Sequence, residues 1–499
     1  MSVVSKKMLF TELIKQKKIS MADIYNVNLN TVPERIKTYS PKPNLYSFFI
    51  ALGGGLLKPN GKMCYIIPQT ILNANDLDVL RYYLSKKVTI EKIITFSGKL
   101  FIGRGLKGKN PVATSSLIFV IKKEVPKADG IVTIVNYIKS QESNIENILN
   151  SRGNNKIVKR IPQAELVEKV ENWNFLTRTQ AEIDFVDNYI NNSVSIEDYR
   201  RSLTDYDLIQ FDKGFVFKDQ DTPNNKNGYQ LIQASKNYKP DLTSTFISKE
   251  NIKIPSGSQG FKIFDNKYKI VASYTQPAYY YSSKNIMIRS NWIIISSDQK
   301  EQILFLFAIL NSYTNAKVID FYARSENEKV LIASVKTIKN FVRVPKITSQ
   351  NKIIRNEIIN QTKNLLNLEE YKMSDFVDFS EISIQKFDRY EMEKDKLILI
   401  KNDSLYPLKI KNVNKFSAIM EALKNRYNLI SKINLVELKN LKVIDKKEQL
   451  KIKDYIDDLV FVLYFNIPIK NINISNSQII KEECKKNQFY KMVIKNKKI

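Results

Sequence analysis

One short segment of the sequence combines glycines with cations at a spacing known from ligand-binding loops. The residues Gly103-Arg104-Gly105-Leu106-Lys107-Gly108, called the glycine loop below, have the pattern G-x-G-x-x-G. In dinucleotide-binding proteins this pattern joins a strand to a helix, whose N-terminus binds the pyrophosphate. A flexible hairpin loop is the second interpretation. In the third, the loop approaches a polyanion, and its phosphates are contacted by Lys99, Arg104, Lys107 and Lys109.

Carboxylate side chains could also do chemistry in this protein, whereas no histidine is available for it. Segment 447–465 has the pattern of an amphipathic helix with Asp454, Asp457 and Asp458 on or near its polar side. Paired carboxylates can bind a metal, but we interpret these three as part of a solvated helix face. The chain contains no histidine and only two cysteines. This excludes Ser-His-Asp triads, Cys-His dyads, histidine metal motifs and a disulfide framework.

The elements that must position these residues form an α/β pattern in the first quarter of the chain. Apolar periodicity predicts helix 44–57, strand 62–68, helix 70–86, strand 88–96 and strand 114–123. The last two strands form a hairpin around the glycine loop, so a strand and not a helix follows the glycines. No helix N-terminus is then available for a pyrophosphate. The dinucleotide interpretation is therefore excluded, and the other two remain.

Composition points to a soluble, strongly basic protein. Lys and Arg outnumber Asp and Glu by 79 to 51, for a net charge of +28, which favours a polyanionic partner such as nucleic acid. The alternative is a lysine-rich composition that follows from an AT-biased genome. The N-terminus lacks the apolar core of a signal peptide, and no uninterrupted run of about 18 apolar residues occurs, so we expect a cytoplasmic protein without a membrane span. A length of 499 residues predicts two to four domains.

Four stretches of this first region together resemble a known enzyme family. They are NLYSFF (44–49), LLKPNGKMCYIIPQTIL (56–72), IEKIITFSGKLF (90–101) and TSSLIFVIKK (114–123). Their order resembles the C-terminal half of the catalytic domain of TaqI-type adenine-N6 DNA methyltransferases, and the type IIG restriction-modification enzymes are the most similar subgroup. The resemblance implies the distal half of a Rossmann-like methyltransferase sheet and the cofactor S-adenosylmethionine.

The resemblance implies functional roles for two aromatic residues. Phe49 matches the residue that packs against the adenine of S-adenosylmethionine. Phe101 matches the residue that stacks on the target adenine, which must be flipped out of the duplex because its amino group is unreachable in the stack. For both residues, ordinary core packing is the alternative.

Two motifs of the family are missing from the chain. There is no D-P-A-C-G-S-G-like glycine-rich loop and no N-P-P-[YF] loop; indeed no Pro-Pro pair occurs. The resemblance therefore implies a chain that is inactive alone. Either its reading frame begins inside the gene, or a partner chain carries the first half of the domain, or the protein is a decayed gene product. An open half-sheet exposes an apolar edge, which also favours a partner.

The middle of the chain has the pattern of a DNA-reading domain. Short β-like runs between 198 and 345 precede a long helical pattern at 349–371, and the sequences LFAILNS and VRVPKIT with the polar helix resemble one target-recognition domain of type I specificity subunits and type IIG enzymes. Lys and Arg on its loops are expected to contact phosphates rather than bases. For each tyrosine, packing in a strand is the alternative. The candidate DNA-facing residues are Lys213, Lys236, Tyr238, Lys239, Tyr274, Gln276, Tyr279, Tyr280, Lys284 and Arg289.

Four regions and two functional hypotheses follow. The regions are a partial catalytic domain (1–125), a connector (126–197), a recognition domain (198–372) and a mixed C-terminal extension (373–499). In the connector, Trp173 and Phe175 are predicted core anchors. The leading hypothesis is part of a site-specific DNA adenine-N6 methyltransferase of a restriction-modification system, with double-stranded DNA and a chain carrying the missing half as partners. The alternative is a non-catalytic DNA sequence-specificity subunit.

Overall fold

The chain divides into two units that both mix helices and strands. The computed structural model describes residues 12–13, 16, 45–74, 77–96, 115–137, 156–203, 209–217, 228–255, 258–274, 278–323, 335–427 and 432–494. The first unit is Met1–Val186 with Val318–Thr337, and the second is Asp187–Lys317 with Ile338–Ile499. Within the described ranges no helix has both the length and the apolar character needed to cross a membrane.

A five-stranded sheet forms the centre of the first unit. Its strands are β1 (Lys62–Pro68), β2 (Thr89–Phe96), β3 (Ser116–Lys122), β4 (Ile131–Tyr137) and β5 (Lys156–Pro162). The spatial order is β1-β3-β2-β4-β5. Strand β3 is antiparallel to both β1 and β2, β2 and β4 are parallel, and β4 and β5 are antiparallel. The predicted hairpin of β2 and β3 is confirmed. The predicted boundary at residue 125 falls inside this sheet, because β4 and β5 continue it.

Helices of the first unit lie close to their predicted positions, with one correction. They are α1 (Leu45–Leu56), α2 (Asp78–Lys87) and α3 (Gln163–Glu168), and α4 (Gln180–Asn191) follows. The predicted helix 70–86 is instead a 3-10 turn, Gln69–Leu72, followed by α2. The guanidinium of Arg81 explains the break, because it donates to the carbonyl oxygens of Ile71 and Ala74, at 2.9 Å each. The carbonyl of Ala74 also accepts from the N–H of Leu77 at 3.2 Å, which is the bond of a turn and not of an α-helix.

The sheet buries alternate residues against a tryptophan. Leu117 and Phe119 of strand β3 are buried, and the Phe119 ring lies 6.4 Å from that of Trp173. Trp173 is fully buried and donates its indole N–H to the carbonyl of Leu166 at 2.8 Å. Phe175 is buried too. The prediction that Trp173 and Phe175 anchor a core is confirmed.

Small sheets dominate the first part of the second unit. The largest has four strands in the order β13-β12-β15-β7, and a three-stranded sheet has the order β10-β9-β14. Segment 261–265 is a short helix, where the sequence predicted β structure. The elements of this part are β6 (Ser193–Ser195), α5 (Ile196–Arg201), β7 (Gln210–Lys213), β8 (Val216–Phe217), β9 (Tyr229–Gln233), β10 (Asp241–Ile247), β11 (Ile252–Lys253), α6 (Phe261–Asp265), β12 (Tyr268–Ser273), β13 (Tyr279–Ser282), β14 (Ile286–Met287) and β15 (Trp292–Ser297).

Helices and a second core complete the chain. The apolar helix α7 packs on strands β12, β13 and β15 and on helices α10 and α14, and α10 packs along α14. A separate apolar core lies between residues 373 and 443. The elements are α7 (Lys300–Leu310), α8 (Tyr313–Ala323), α9 (Val335–Phe341), β16 (Arg343–Pro345), α10 (Lys352–Asn367), α11 (Met373–Phe376), β17 (Lys386–Phe387), β18 (Arg389–Glu393), β19 (Lys396–Lys401), β20 (Ser404–Lys409), α12 (Phe416–Arg426), β21 (Ile433–Asn434), α13 (Leu435–Lys439), α14 (Lys446–Phe465), α15 (Ser477–Lys486) and α16 (Tyr490–Ile494).

The interpretation of three aspartates as a solvated helix face is wrong for two of them. Asp457 and Asp458 on α14 are 6% and 5% exposed. Asp457 pairs with Lys453 one turn earlier, and Asp458 accepts a hydrogen bond from the hydroxyl of Tyr490 at 2.5 Å. Paired carboxylates of this kind can be buried because each has a donor. The third, Asp454, is partly exposed and lies 3.9 Å from Lys481. No group of three metal-ligating side chains occurs among the described residues.

Candidate nucleic-acid interface and cofactor site

The carboxyl ends of three strands meet at one edge of the five-stranded sheet, called the carboxyl edge below. Strands β1, β2 and β4 run in the same direction and end there, whereas β3 and β5 begin there. Ligands of open α/β sheets bind outside the carboxyl ends of the strands. The connection between β2 and β3 starts and ends at this edge, since Thr95 pairs with Leu117. It holds Phe101 and the four cations Lys99, Arg104, Lys107 and Lys109, which all lie outside the described residues.

Gln69 places a buried amide without a partner at the carboxyl edge. It follows the last residue of β1, and its backbone N–H donates to the carbonyl of Ser115 at 2.7 Å. The side chain is 1% exposed, yet among the described residues neither its Nε2 nor its Oε1 has a hydrogen-bond partner. Leaving such a group unpaired is unfavourable, so it marks a place where a ligand or another chain can supply the partner. The sequence analysis missed Gln69; its only local signal is its position directly after the strand.

A hydrogen-bonded polar pair and a stacked aromatic pair lie at the ends of β2 and β4. The hydroxyl of Thr95 donates to Oδ1 of Asn136 at 2.6 Å, and Nδ2 of Asn136 donates to the carbonyl of Leu176 at 2.8 Å. The rings of Phe96 and Tyr137 stack with centroids 5.4 Å apart and an interplanar angle of 6°. These contacts fix the strand ends around the connection that carries Phe101.

Phe49 has the exposure that contact with a ligand requires. It is 37% exposed on α1, between the buried Phe48 and Ile50. One turn earlier on the same side of the helix, the hydroxyl of Tyr46 lies 3.4 Å from Oγ1 of Thr70, the residue after Gln69. Phe49 therefore lies about one helical turn from the Tyr46–Thr70 contact, on the side of α1 that faces the carboxyl edge. Its role toward a cofactor stays a prediction.

In the second unit, the structure brings two predicted DNA-facing lysines to one carboxylate. Lys239 forms an ion pair with Glu370. The Lys239 ammonium holds the pKa of the Glu370 carboxyl below its usual range, and Lys442 and Lys284 act in the same direction. Lys284 is exposed, whereas the side chain of Lys239 is only 20% exposed. Three cations thus surround one acid, which leaves this surface positive.

A buried glutamate holds the segment that presents Lys239. The backbone N–H groups of Tyr238 and Lys239 donate to the two carboxylate oxygens of Glu369, at 2.6 and 3.0 Å. Nε2 of Gln449 donates to the same carboxylate at 2.9 Å. Burial raises the pKa of Glu369, and these donors oppose the shift. The sequence analysis missed Glu369, because nothing local distinguishes it from its exposed neighbour Glu370.

Two of the candidate tyrosines pack in a strand, as the alternative interpretation predicts for them. Tyr279 and Tyr280 lie in strand β13 and are 3% and 2% exposed. The Tyr280 hydroxyl donates to the carbonyl of Ser235 at 3.2 Å. The side-chain amide of Asn311 accepts from the backbone N–H of Tyr279 at 3.3 Å and donates to its carbonyl at 3.1 Å. Packing in a sheet therefore accounts for both rings, and the burial of Tyr280 disfavours the direct DNA contact predicted for it.

Of the remaining candidates, Tyr238 lies beside Lys239 and shares its contact with Glu369, whereas Tyr274 lies elsewhere. Tyr274 is half-buried just beyond β12, at the opposite end of the β12–β13 pair from Lys284. Lys213 and Tyr238 are half-buried, and Lys236 is exposed. Arg289 is exposed, and its guanidinium lies 5.2 Å from the ring centre of Phe217. Gln276 lies outside the described residues.

Comparison with known proteins links the first region to restriction-modification enzymes. Residues 15–101 match the family model described as Eco57I restriction-modification methylase. This range contains Phe49, Gln69 and Phe101. No curated protein sequence matches the chain.

Three solved structures are similar to this chain at low sequence identity. The type IIG restriction endonuclease BpuSI is 11% identical with a TM-score of 0.28, over 89% of this chain and 51% of that one. DrdV in complex with DNA is 11% identical with a TM-score of 0.42, over 89% and 52%. The type IIL restriction-modification enzyme MmeI in complex with DNA is 11% identical with a TM-score of 0.41, over 95% and 55%. The chain therefore spans about half the length of these three proteins.

Proposed function

We propose that this chain is part of a DNA methyltransferase of a restriction-modification system, specific for the N6 amino group of adenine. It supplies target recognition and part of the pocket for the cofactor and the flipped base. The observation that carries the proposal is the match of residues 15–101 to the Eco57I restriction-modification methylase family. The strand order β1-β3-β2-β4-β5 supports the distal half of a Rossmann-like sheet.

The residues at the carboxyl edge fit S-adenosylmethionine in part. Phe49 offers an exposed ring for the adenine of the cofactor, and Gln69 offers a buried amide with unused donors and an unused acceptor. When bound, S-adenosylmethionine supplies an electrophilic methyl group. The glycine-rich and N-P-P-[YF] sequences that would complete the pocket are not in this chain.

The chain's own residues act by positioning. Phe101 supports the flipped adenine from one face, and the amide of Gln69 holds a polar group of the base, the cofactor or the completing segment. A flipped base held in a fixed orientation is the main requirement for transfer, because positioning supplies most of the rate enhancement in such reactions. This agrees with the absence of histidine.

The edge strand β1 supports a partner for the missing half. Among the described residues β1 pairs only with β3, so its other edge has no strand neighbour. Ile66 on β1 is 43% exposed, and Leu52 and Leu56 on α1 are 41% and 77% exposed. An exposed apolar sheet edge with adjacent apolar surface is a site for pairing with another segment.

Methyl transfer to DNA tests the proposal. The purified chain, mixed with double-stranded DNA and radiolabelled S-adenosylmethionine, should transfer no methyl group. Addition of a polypeptide that carries the glycine-rich and N-P-P-[YF] segments should restore transfer, and digestion of the product should yield N6-methyladenine. Transfer by the isolated chain contradicts the partial-chain proposal. DNA binding without any cofactor binding in the mixture favours the alternative of a specificity subunit.

A further inference from the structure

A polar groove lies between two helices of the second unit, far along the chain from the predicted DNA-facing loops. Helices α10 and α14 pack side by side, and the groove along them has a volume of about 630 Å³. Amide and phenol groups line one wall, two ammonium groups and the carboxylate of Glu448 line the other, and Leu368, Ile452 and Ile474 also contribute. We call it the amide–lysine groove; the lining residues that matter below are Gln361, Asn364, Asn367, Tyr371, Lys447 and Lys451.

The α10 wall presents amides to the groove. Gln361, Asn364 and Asn367 follow each other at intervals of three residues, which places them on one side of the helix. Gln361 is buried, and its amide donates to Glu357 at 2.9 Å and accepts from Asn364 at 3.2 Å. Asn364 and Asn367 are exposed. Asparagine is a poor helix former, so the exposed Asn364 in the last turn of α10 costs helix stability, whereas Asn367 is the last residue of the helix.

The α14 wall presents two cations, Lys447 and Lys451, and one acid, Glu448, which pairs with Lys415. Lys447 and Lys451 are exposed, one helical turn apart. Among the described residues, neither ammonium has a carboxylate within the 4.0 Å of an ion pair. Their neighbours are different: Glu448 pairs with Lys415, and Lys453 pairs with Asp457. Because Lys415 pairs with the carboxylate of Glu448, the two ammonium groups of Lys447 and Lys451 leave the groove positive.

We propose that the amide–lysine groove binds the phosphodiester backbone of DNA. This inference rests on the proposed function and deepens it, because it adds a contact surface from the C-terminal extension. Lysine with Asn, Gln and Tyr side chains is the donor set that proteins use for phosphate and sugar contacts, which fix register without reading sequence. Here both asparagines, the tyrosine and both ammonium groups reach one open groove.

Salt dependence of DNA binding by the full chain tests the groove. The double variant Lys447→Ala, Lys451→Ala should bind a duplex oligonucleotide more weakly, and the slope of log K against log salt should become shallower by about one to two units, since each phosphate contact contributes about 0.9. The control is Lys485→Ala, Lys486→Ala, which removes the same charge from α15, where both lysines pair with glutamates of their own helix at 2.7 Å. The control should keep the slope of the unmodified chain.

A second variant separates the groove from a general loss of charge. Asn367→Asp keeps the size of the side chain and places a carboxylate in the groove, so it should lower DNA affinity by repulsion. Because Asn367 is the last residue of α10, the carboxylate should also lower the thermal unfolding midpoint slightly, and circular dichroism should show that the variant is folded at the temperature of the binding assay. If the unmodified chain binds DNA and both groove variants keep its slope and affinity, the groove inference is wrong and the proposed function survives. If the unmodified chain binds no DNA, both are wrong. Inorganic phosphate is then added as a competitor at constant ionic strength. If it displaces DNA equally from the unmodified chain and from the Lys485→Ala, Lys486→Ala control, the groove binds a small phosphate compound instead of DNA.

Discussion

At the residue scale, the unpartnered amide of Gln69 predicts opposite effects on stability and on function. Gln69→Met keeps the length of the side chain and removes two unsatisfied polar atoms, so the free energy of unfolding of the isolated chain should rise by about 1 kcal/mol. In the reconstituted mixture the same variant should lose methyl transfer, because the amide no longer meets its partner. Urea denaturation and the transfer assay measure the two effects.

Gln163 provides the matched control for Gln69. Its amide is equally buried, but it accepts from the N–H of Ile90 at 2.9 Å and donates to the carbonyls of Ser85 and Val88 at 2.9 and 2.8 Å. Gln163→Met should therefore lower the free energy of unfolding by about 1–3 kcal/mol. Equal destabilisation by both variants would mean that Gln69 is satisfied in the folded chain, and its proposed role would be wrong.

Lys269 is predicted to make the stability of the folded chain depend on pH. It is 3% exposed, and burial lowers the pKa of its ammonium from 10.5 to about 8. Between these two values the unfolded chain binds more protons than the folded chain, so the contribution of Lys269 to stability rises with pH in this window. Lys269→Met should be more stable than the unmodified chain by about 1–3 kcal/mol at pH 7, and the difference should vanish toward pH 10.5.

Thermal unfolding at a series of pH values checks this prediction. Lys267→Met is the control, because Lys267 is exposed two residues away and should show no such window. If the difference in unfolding free energy between Lys269→Met and the unmodified chain stays constant from pH 7 to 10, the pKa of Lys269 is not lowered by burial and the prediction is wrong.

Glu370 is predicted to restrain DNA binding. It pairs with Lys239 and lowers the positive potential that Lys284 and Lys442 contribute. Glu370→Gln should raise DNA affinity and steepen the salt slope by up to about one unit, since one more cation can reach a phosphate. Glu482→Gln removes the same charge beside Lys485 on α15 and should change neither. Equal effects of the two variants would show that only net charge matters.

At the scale of elements, the sequence was sufficient where a pattern is local. Strand β1 was predicted at its observed bounds because an all-apolar run is closed by a turn on one side and a proline on the other. Helix 70–86 was wrong because the bonds of Arg81 to the carbonyls of Val170 and Glu171, at 2.6 and 2.7 Å, fix this turn from ninety residues away. The burial of Gln69 and Tyr280 is likewise set by distant segments, so no local pattern could reveal it.

The exposed edge of β1 carries a prediction at this same scale. Ile66→Lys should leave the isolated chain folded, because Ile66 is 43% exposed, and it should lower any self-association, since charged side chains block pairing at sheet edges. It should also prevent restoration of methyl transfer by the polypeptide that carries the missing half. Analytical ultracentrifugation and the transfer assay are the measurements.

The opposite edge of the same sheet supplies the control. Val158 on β5 is 51% exposed, and β5 pairs only with β4 among the described strands. Val158→Lys should leave restoration intact. If it abolishes restoration as strongly as Ile66→Lys does, the partner does not bind specifically at β1.

At the scale of the whole molecule, charge and composition predict binding that depends on salt but not on pH. The net charge is +28 and the chain has no histidine, the side chain that ordinarily titrates near neutrality. Among the described groups, burial raises the pKa of Asp457 to about 6 and lowers that of Lys269 to about 8; both are buried and therefore away from a phosphate. DNA affinity at constant ionic strength should change less than about threefold between pH 6.5 and 7.5.

The salt series at each pH completes this test. A rise from 50 to 200 mM salt should weaken binding by about a hundredfold or more if four or more phosphates are neutralised. Fluorescence anisotropy with a labelled duplex gives both dependences in one buffer system. A tenfold change with pH would require a titrating group at the interface, because lysine and arginine side chains stay protonated throughout this range. The contacts would then have to include a carboxylate whose pKa the DNA itself raises.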